Sequence, residues 1–353
     1  MAFTLFFFYI APCHTQKRHT QVSIEGNQFF INKQLTYKGR YWNGRMIEGL
    51  LMNSRMVQGI FNDLNPATQS QFAYPDTKIW DTNRNTNEFI MNMPDWNRHG
   101  LLSFTLNVQG GSPMGYGNKG WINSAFDPEG ELRNEYMSRL EKILDKADEL
   151  GMVVILGYFY FGQDQFLENE QAVINATVRL TKWISKKRYK NILIEVNNEC
   201  DILYDHAILN PERVTELMLK IKKVNSNLLV STSFGGGKIP TPNVVQVSDY
   251  ILLHGNGVSS STGIDQMVTG VKKVNSFQNQ PILFNEDDHF NFESDSCNFL
   301  TAIKSYASWG YFDYRMKDES FENGFQSVPV DWSISSDRKR SFFGKLKEVT
   351  GKN

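Results

Sequence analysis

The stretch Asn191-Ile-Leu-Ile-Glu-Val-Asn-Asn-Glu199 runs from an apolar, strand-like segment straight into a polar group that ends in a glutamate. A second stretch, Pro281-Ile-Leu-Phe-Asn-Glu286, repeats this pattern and also ends in an Asn-Glu pair. Short apolar runs of this kind are typical of buried strands in a parallel sheet. If both strands belong to one closed barrel, their carboxyl ends open at the same rim, so we expect Glu199 and Glu286 to lie close together there.

Apolar runs of similar length recur along the chain, and segments with helical periodicity separate them. The runs lie near Leu50–Phe61, Leu101–Val108, Met152–Tyr158, Ile192–Val196, Leu228–Thr232, Tyr250–Leu253, Ile282–Phe284 and Trp309–Tyr314. Helices are predicted at Thr86–His99, Glu131–Leu150, Asn169–Lys187, Asn210–Asn225, Ile264–Ser276, Asp295–Ser308 and Ser336–Thr350. The connection Gly235–Ser248 lacks a helical period and is predicted to be irregular. This alternation predicts an α/β fold, a single-domain (β/α)₈ TIM barrel.

The beginning of the chain predicts two further features. From Val22 to Lys38, apolar and polar residues alternate around turn residues, which indicates an N-terminal β-hairpin that plugs the barrel floor. Before it, the apolar run Phe3–Ile10 resembles the hydrophobic part of a secretory signal, although the charged leading segment is missing. We therefore expect residues 1–21 to be signal-like or disordered, residues 22–353 to form the catalytic barrel, and the protein to be secreted or periplasmic.

Composition excludes several other classes of protein. Lys+Arg 37 against Asp+Glu 38 leaves no basic field that would favour nucleic acid. No stretch approaches the roughly 20 apolar residues that a membrane-spanning helix needs, so embedding in a membrane is not expected. Cys13, Cys200 and Cys297 lack the paired spacing of a zinc site, and no phosphate-binding glycine motif is present, so no cofactor is predicted.

The two glutamates suggest a chemistry, because two facing carboxylates are what cleavage of a glycosidic bond requires. A carboxyl group at the end of a buried strand is partly desolvated, so we expect Glu199 to have a raised pKa and to act as general acid and base. Glu286 is expected to be ionised and to act as the nucleophile.

This arrangement resembles the retaining glycoside hydrolases of clan A, which include cellulase-like, mannanase-like and β-galactosidase-like barrels. In that clan an Asn-Glu acid/base follows the fourth strand and a glutamate nucleophile follows the seventh, and here those positions hold Asn198-Glu199 and Glu286. The resemblance spans about Val22 to Thr350 and identifies the clan rather than a family. It implies a glycosidase that retains anomeric configuration and has a carbohydrate as its partner.

Side chains near the predicted strand ends are candidates for binding the sugar through hydrogen bonds or ring stacking. They are Arg55, Asn107, Trp121, Tyr158, Asn198, His254, Asn256, His289 and Trp309. The second strand carries Asn107 and Gln109 where many clan members have an arginine. We therefore expect either Arg55 on the first strand or Arg315 on the eighth to orient the nucleophile.

Two alternatives stay open at this level. The run Glu286-Asp287-Asp288-His289, with Glu199, Asp201 and His254, offers the ligands of a Mg²⁺ or Mn²⁺ site, as in sugar isomerases built on barrels. The other alternative is a sugar-binding barrel without catalysis. Cys200 is interpreted as a buried structural thiol, because no histidine is placed by the sequence to activate it.

Overall fold

The computed structural model of the protein describes residues 17–115 and 120–352. The signal-like run Phe3–Ile10 and Cys13 lie outside these residues, so the expected export stays a prediction, as does the division at residue 22.

The described residues contain short antiparallel strands followed by a series of parallel strands and helices. The strands are β1 (Val22–Glu25), β2 (Gln28–Ile31), β3 (Gln34–Leu35), β4 (Tyr41–Trp42), β5 (Arg45–Met46), β6 (Asn53–Arg55), β7 (Ser103–Asn107), β8 (Val153–Tyr160), β9 (Ile192–Asn198), β10 (Leu229–Ser231), β11 (Ile251–His254), β12 (Ile282–Glu286) and β13 (Gly310–Tyr311). The helices are α1 (Thr82–Arg98), α2 (Asn134–Leu150), α3 (Glu170–Lys187), α4 (Val214–Val224), α5 (Pro242–Val247), α6 (Ser261–Lys272), α7 (Asn298–Lys304) and α8 (Asp337–Thr350).

Strands β6 to β13 form a closed parallel cylinder. One ladder runs in the order β10-β9-β8-β7-β6-β13, and β11 pairs with β12. A parallel bridge between Leu283 and Ser308 joins β12 to the start of β13, and the backbone N–H of Asp249 donates to the carbonyl of Val230 between β11 and β10. Each strand corresponds to one predicted apolar run, so the predicted (β/α)₈ fold is confirmed, with β9 as its fourth strand and β12 as its seventh.

The lower half of the barrel interior is apolar and closed by the N-terminal strands. Side chains from the barrel strands pack there in one cluster with Val22 and Phe29, and the ring of Phe29 lies 6.5 Å from that of Tyr250. This burial removes apolar surface from water and stabilises the end of the barrel opposite the strand termini. The predicted plug is therefore present, as a three-stranded sheet of β1, β2 and β3 rather than a simple hairpin.

The predicted helices are present with small shifts at their ends. In α2 the buried residues Tyr136, Leu140, Ile143 and Ala147 form one stripe, and Gly151 ends the helix with a φ of 72°, which favours glycine. The prediction for Gly235–Ser248 was wrong in part, because Pro242–Val247 forms the short helix α5. Its six residues are too few to show a helical period in the sequence. None of the helices within the described ranges has the length and apolar character needed to cross a membrane.

Candidate active site

The two predicted glutamates lie together at the carboxyl-terminal rim of the barrel. Glu199 directly follows β9, and Glu286 is the last residue of β12. His254, the last residue of β11, lies between the two glutamates. The Nδ1 atom of His254 lies 3.0 Å from Oε1 of Glu199 and 3.5 Å from Oε2 of Glu286. Carboxylate oxygens of Glu199 and Glu286 lie within 4.8 Å of each other. Barrel closure therefore brings the ends of the fourth, sixth and seventh strands to one point.

Glu199 is held in an uncommon backbone conformation. Its φ is 51°, in the left-handed region that costs a residue with a side chain roughly 1–3 kcal/mol. The hydroxyl group of Ser233, just after β10, accepts a hydrogen bond from the Glu199 backbone N–H at 2.9 Å, and the Ser233 carbonyl accepts one from Cys200 at 2.9 Å. Cys200 itself is buried and free, as the sequence suggested. The neighbouring strand thus fixes the turn that places Glu199 at the rim.

Arg55, at the end of β6, joins the two sides of the site. Its Nε lies 2.9 Å from Oε2 of Glu286, and its Nη2 donates a hydrogen bond of 2.7 Å to Oδ1 of Asn198. Asn256 donates from Nδ2 to the other Glu286 oxygen, Oε1, at 3.1 Å. Both oxygens of Glu286 are therefore positioned. Of the two arginines considered, Arg55 lies beside Glu286, whereas Arg315 donates to the carbonyl of Pro329.

The electrostatics of the site follow from its burial. Burial is the main cause that raises the pKa of Glu286 to about 7, and the negative charge of Glu199 adds to it, although Arg55 opposes the shift. Burial also acts to lower the pKa of His254, but the surrounding carboxylates outweigh it and raise this pKa to about 10. His254 is thus an imidazolium ion at neutral pH. Glu286, for which the sequence predicted an ionised carboxylate, is the more buried of the two glutamates, with 4% exposure against 9% for Glu199.

The sequence analysis missed Glu195, a fully buried glutamate of β9 that lies inside the barrel next to the site. The Ser233 hydroxyl donates to its Oε1 at 2.6 Å, and Asn285 of β12 donates from Nδ2 to its Oε2 at 3.2 Å. Arg55 Nη1 is 4.0 Å from the same Oε2. Its signal in the sequence was a single ionisable residue within the apolar run Ile192–Val196.

Two predicted sugar-binding residues lie outside the cleft. Tyr158 points away from the barrel interior, and its hydroxyl group is 3.2 Å from that of Thr181 in α3. Trp309 is fully buried in the wall between barrel and helices, where its Nε1 donates to Asp287 at 2.9 Å and its ring packs 5.1 Å from that of Phe299 in α7. Neither ring is available for stacking on a sugar, which corrects both predictions.

The other predicted residues lie at or just below the rim. Asn107 is buried in the barrel interior opposite Gly157, which in turn pairs with Glu195. Trp121 is almost completely buried in an aromatic cluster that includes Tyr160, the last residue of β8. His289 forms an ion pair of 2.7 Å with Asp287, and its side chain is 27% exposed.

Within residues 17–115 and 120–352, two groups of side chains have the composition of a metal site, Glu199-His254-Glu286 and Asp287-Asp288-His289. In the first group the carboxylates already face the guanidinium of Arg55 and the imidazolium of His254, and two positive charges oppose the binding of a divalent cation. In the second, Asp287 accepts hydrogen bonds from Trp309 and Asn298. Asp201 pairs with Lys238 instead of joining either group. The charges therefore suit the binding of a neutral substrate better than that of a metal ion.

The fold is similar to those of solved glycoside hydrolases. The endo-1,4-β-mannanase from Rhizomucor miehei matches with a TM-score of 0.59 at 12% identity over 94% of this chain and 100% of that one. A broad-specificity endoglucanase from Clostridium longisporum matches with a TM-score of 0.53 at 12% identity, over 85% of this chain and 97% of that one. A glycoside hydrolase candidate from Bacteroides vulgatus matches with a TM-score of 0.55 at 13% identity over 91% of this chain, which spans only 59% of the length of that protein.

No protein-family model matches the chain, and no curated protein sequence does. At such low identity the structural similarities establish the fold. The resemblance drawn from the sequence is therefore confirmed in the architecture, with the family within the clan left open.

Proposed function

We propose that the protein is a glycoside hydrolase that cleaves an O-glycosidic bond of an oligo- or polysaccharide with retention of configuration. The observation that carries this proposal is the meeting of Glu199 and Glu286 at one rim, with carboxylate oxygens within 4.8 Å. Retaining enzymes hold their two carboxyl groups about 5–5.5 Å apart, whereas inverting enzymes need about 6.5–9.5 Å to admit a water molecule. The short separation thus favours a double displacement.

In the first step Glu286 attacks the anomeric carbon and forms a covalent bond to it. The glycosidic C–O bond breaks, and Glu199 gives its proton to the leaving oxygen. Arg55 and Asn256 each hold one oxygen of Glu286, so the attacking carboxylate does not need to reorient. In the second step Glu199 takes a proton from water, the resulting hydroxyl adds to the anomeric carbon, and the bond to Glu286 breaks.

The raised pKa of Glu286 requires that its proton reaches Glu199 before attack. His254 contacts both carboxylates through the same Nδ1 atom, so it can donate a proton to Glu199 and accept one from Glu286. The two glutamates therefore share one proton, and the productive arrangement carries it on Glu199. Asn198, Asn256 and His289 are proposed to bind sugar hydroxyl groups around this centre, and Asn107 to support it from below.

The experiment that tests this proposal is a screen of aryl glycosides and polysaccharides with the wild-type protein and two variants. Glu286→Gln is expected to lose turnover by at least about 10⁴-fold, because no nucleophile remains. Glu199→Gln is expected to keep activity only on substrates with activated leaving groups, and added azide should then restore turnover. A 2-fluoro sugar should label Glu286, as mapped by mass spectrometry. Glu216→Gln, on the exposed face of α4, is the matched control.

Two outcomes would contradict the proposal. One is the absence of hydrolysis and of labelling across the screen, which a sugar-binding barrel would show together with unchanged affinity in both variants. The other is activity that disappears with EDTA and returns with Mg²⁺ or Mn²⁺, which would favour the sugar isomerase. We expect EDTA to leave activity unchanged, since Arg55 and His254 supply the positive charge.

A further inference from the structure

We propose that Glu195 is a positioning residue that sets how many protons the Glu199–Glu286 pair holds, and thereby the pH range of catalysis. This inference rests on the proposed function. Glu195 does not reach the rim and does not touch the reacting atoms, so its influence passes through the two cations that it shares with the pair.

Each of these cations lies between Glu195 and a carboxylate of the pair. Arg55 contacts Glu286 through Nε at 2.9 Å and faces Glu195 through Nη1 at 4.0 Å. His254 contacts Glu199 through Nδ1 at 3.0 Å, while its Nε2 lies 3.8 Å from Oε1 of Glu195. The buried cluster is thus a layer of two cations with one carboxylate below it and two carboxylates above it.

The charges of this cluster balance in only one way. Two cations face three carboxylates, so the cluster is neutral when the carboxylates together hold one proton. Net charge in a buried site is costly, so this is the favoured state. Glu195 stays ionised because it accepts hydrogen bonds from Ser233 and Asn285 and faces both cations. The single proton therefore belongs to the pair above, where a retaining glycosidase needs it.

The other groups around Glu195 leave this balance unchanged. Among the described residues, the titratable or charged side chains that face it are Arg55 of β6, Tyr250 just before β11, His254 of β11 and Glu286 of β12. Tyr160 of β8 and Glu199 after β9 lie beside the same cluster. The two tyrosines stay neutral, because burial raises the pKa of each. From β7 and the end of β10 come the uncharged Asn107 and Ser233, and Tyr311 of β13 stacks on Phe342 of α8.

Glu195→Gln tests the idea because glutamine keeps the size of the side chain and removes its charge. Arg55 and His254 are then less compensated, so they favour ionisation of Glu199 and Glu286 and lower the pKa at which the pair loses its proton. A unit charge as near to the pair as Glu195 is, acting through an effective dielectric constant of about 20, shifts a pKa by roughly one to two units. We therefore expect the high-pH limb of the kcat/KM profile to move about one to two units to lower pH.

The variant should consequently lose about 10- to 100-fold of its activity at pH 7 and regain part of it in more acidic buffer. Glu195→Asp keeps the charge and should keep the wild-type limb, whatever its maximal rate. Asp148→Asn is the matched control: Asp148 is a buried carboxylate of α2 that binds the backbone of Thr20 at the other end of the barrel. It should lower stability and leave the profile in place.

A second measurement is independent of turnover, and its wild-type count does not require a folded Glu195 variant. Carboxyl ¹³C NMR of glutamate-labelled protein, assigned with Glu199→Gln and Glu286→Gln, counts the protons on the pair. Wild type should hold about one at pH 6, and Glu195→Gln about half a proton or less. Two protons or none in the wild type would overturn the inference. So would a Glu195→Gln profile that is lower in height but unshifted in an active enzyme. If the wild type hydrolyses no glycoside, the proposed function fails, and the NMR comparison of wild type with Glu195→Gln still decides the role of Glu195.

Discussion

Arg55 Nε lies 2.9 Å from Oε2 of Glu286, although the two residues belong to the first and seventh strands of the barrel. The contact exists because β13 lies between β6 and β12 in the closed cylinder, so the ends of these strands converge at the rim. The same guanidinium also donates a hydrogen bond to Asn198, the residue beside Glu199. One fully buried cation therefore fixes the relative positions of both proposed catalytic segments.

Arg55→Lys is expected to lower kcat by about 10²- to 10³-fold. Lysine carries a point charge on a flexible stem and cannot hold Glu286 and Asn198 at once, and loss of a preorganised donor costs rates of this order. The measurement is steady-state kinetics on the best aryl glycoside. Arg338→Lys is the control, because Arg338 also forms ion pairs with carboxylates, Asp313 and Glu319, but outside the site. A kcat within twofold of wild type in Arg55→Lys would contradict this account.

The kcat/KM of the wild type is expected to fall as the pH rises through about 7. The pKa of Glu286 is raised to about 7, and the proton that it holds below this pH is the one that the pair shares. Above it both carboxylates are ionised, no acid remains for the leaving group, and the rate should decline about tenfold per pH unit. A profile that stays level from pH 6 to 9, with the fold intact by circular dichroism, would be the contrary result.

Tyr158→Phe is expected to leave kcat/KM within twofold of wild type and to lower the free energy of unfolding by about 1 kcal/mol. The hydroxyl group bonds to Thr181 outside the barrel, so only a buried hydrogen bond is lost. Kinetics and urea unfolding measure the two effects. A loss of activity without a loss of stability would contradict this prediction and show that Tyr158 acts in the cleft.

Asn256→Ala is expected to lower kcat about 10- to 100-fold and to leave the stability of the fold nearly unchanged. Asn256 donates to Oε1 of Glu286, so its removal frees one oxygen of the proposed nucleophile. Comparing kcat at saturating substrate with the thermal midpoint checks the prediction. An effect confined to KM would show that Asn256 binds the sugar and does not orient Glu286.

Lys339 is expected to make stability rise with pH. It is fully buried in α8, where its Nζ donates to the carbonyl of Asp331, and burial lowers its pKa to about 7. In the unfolded chain a lysine has a pKa of about 10.4, so between pH 7 and 10 the unfolded state binds more protons and loses stability relative to the folded state. The contribution of this group should grow by up to about 1.4 kcal/mol per pH unit.

Urea unfolding of wild type and Lys339→Met at pH 7, 8 and 9 measures this slope as a difference. His254 contributes with the opposite sign, because its raised pKa stabilises the fold most below pH about 6.5 and progressively less up to about 10. That contribution is the same in both proteins and cancels. Parallel stability curves for the two proteins would refute the prediction for Lys339.

The sequence alone determined the barrel and the position of its two glutamates along the chain. Eight short apolar runs separated by helical periods leave few architectures open, and an Asn-Glu pair at the end of two runs marks strand ends. Such features are local, since each depends on residues within one element. The short helix α5 was not predicted, because six residues do not complete two helical turns.

Only the tertiary structure decided which side chains share the site. The barrel strands are buried on both faces, so their sequences do not alternate, and nothing local shows that Glu195 and Arg55 face inward while Tyr158 and Trp309 face the helices. The choice of Arg55 over Arg315 depends on how the cylinder closes. The raised pKa at Glu286 depends on burial and on charges from three other strands, β6, β9 and β11, which meet only after the chain has folded.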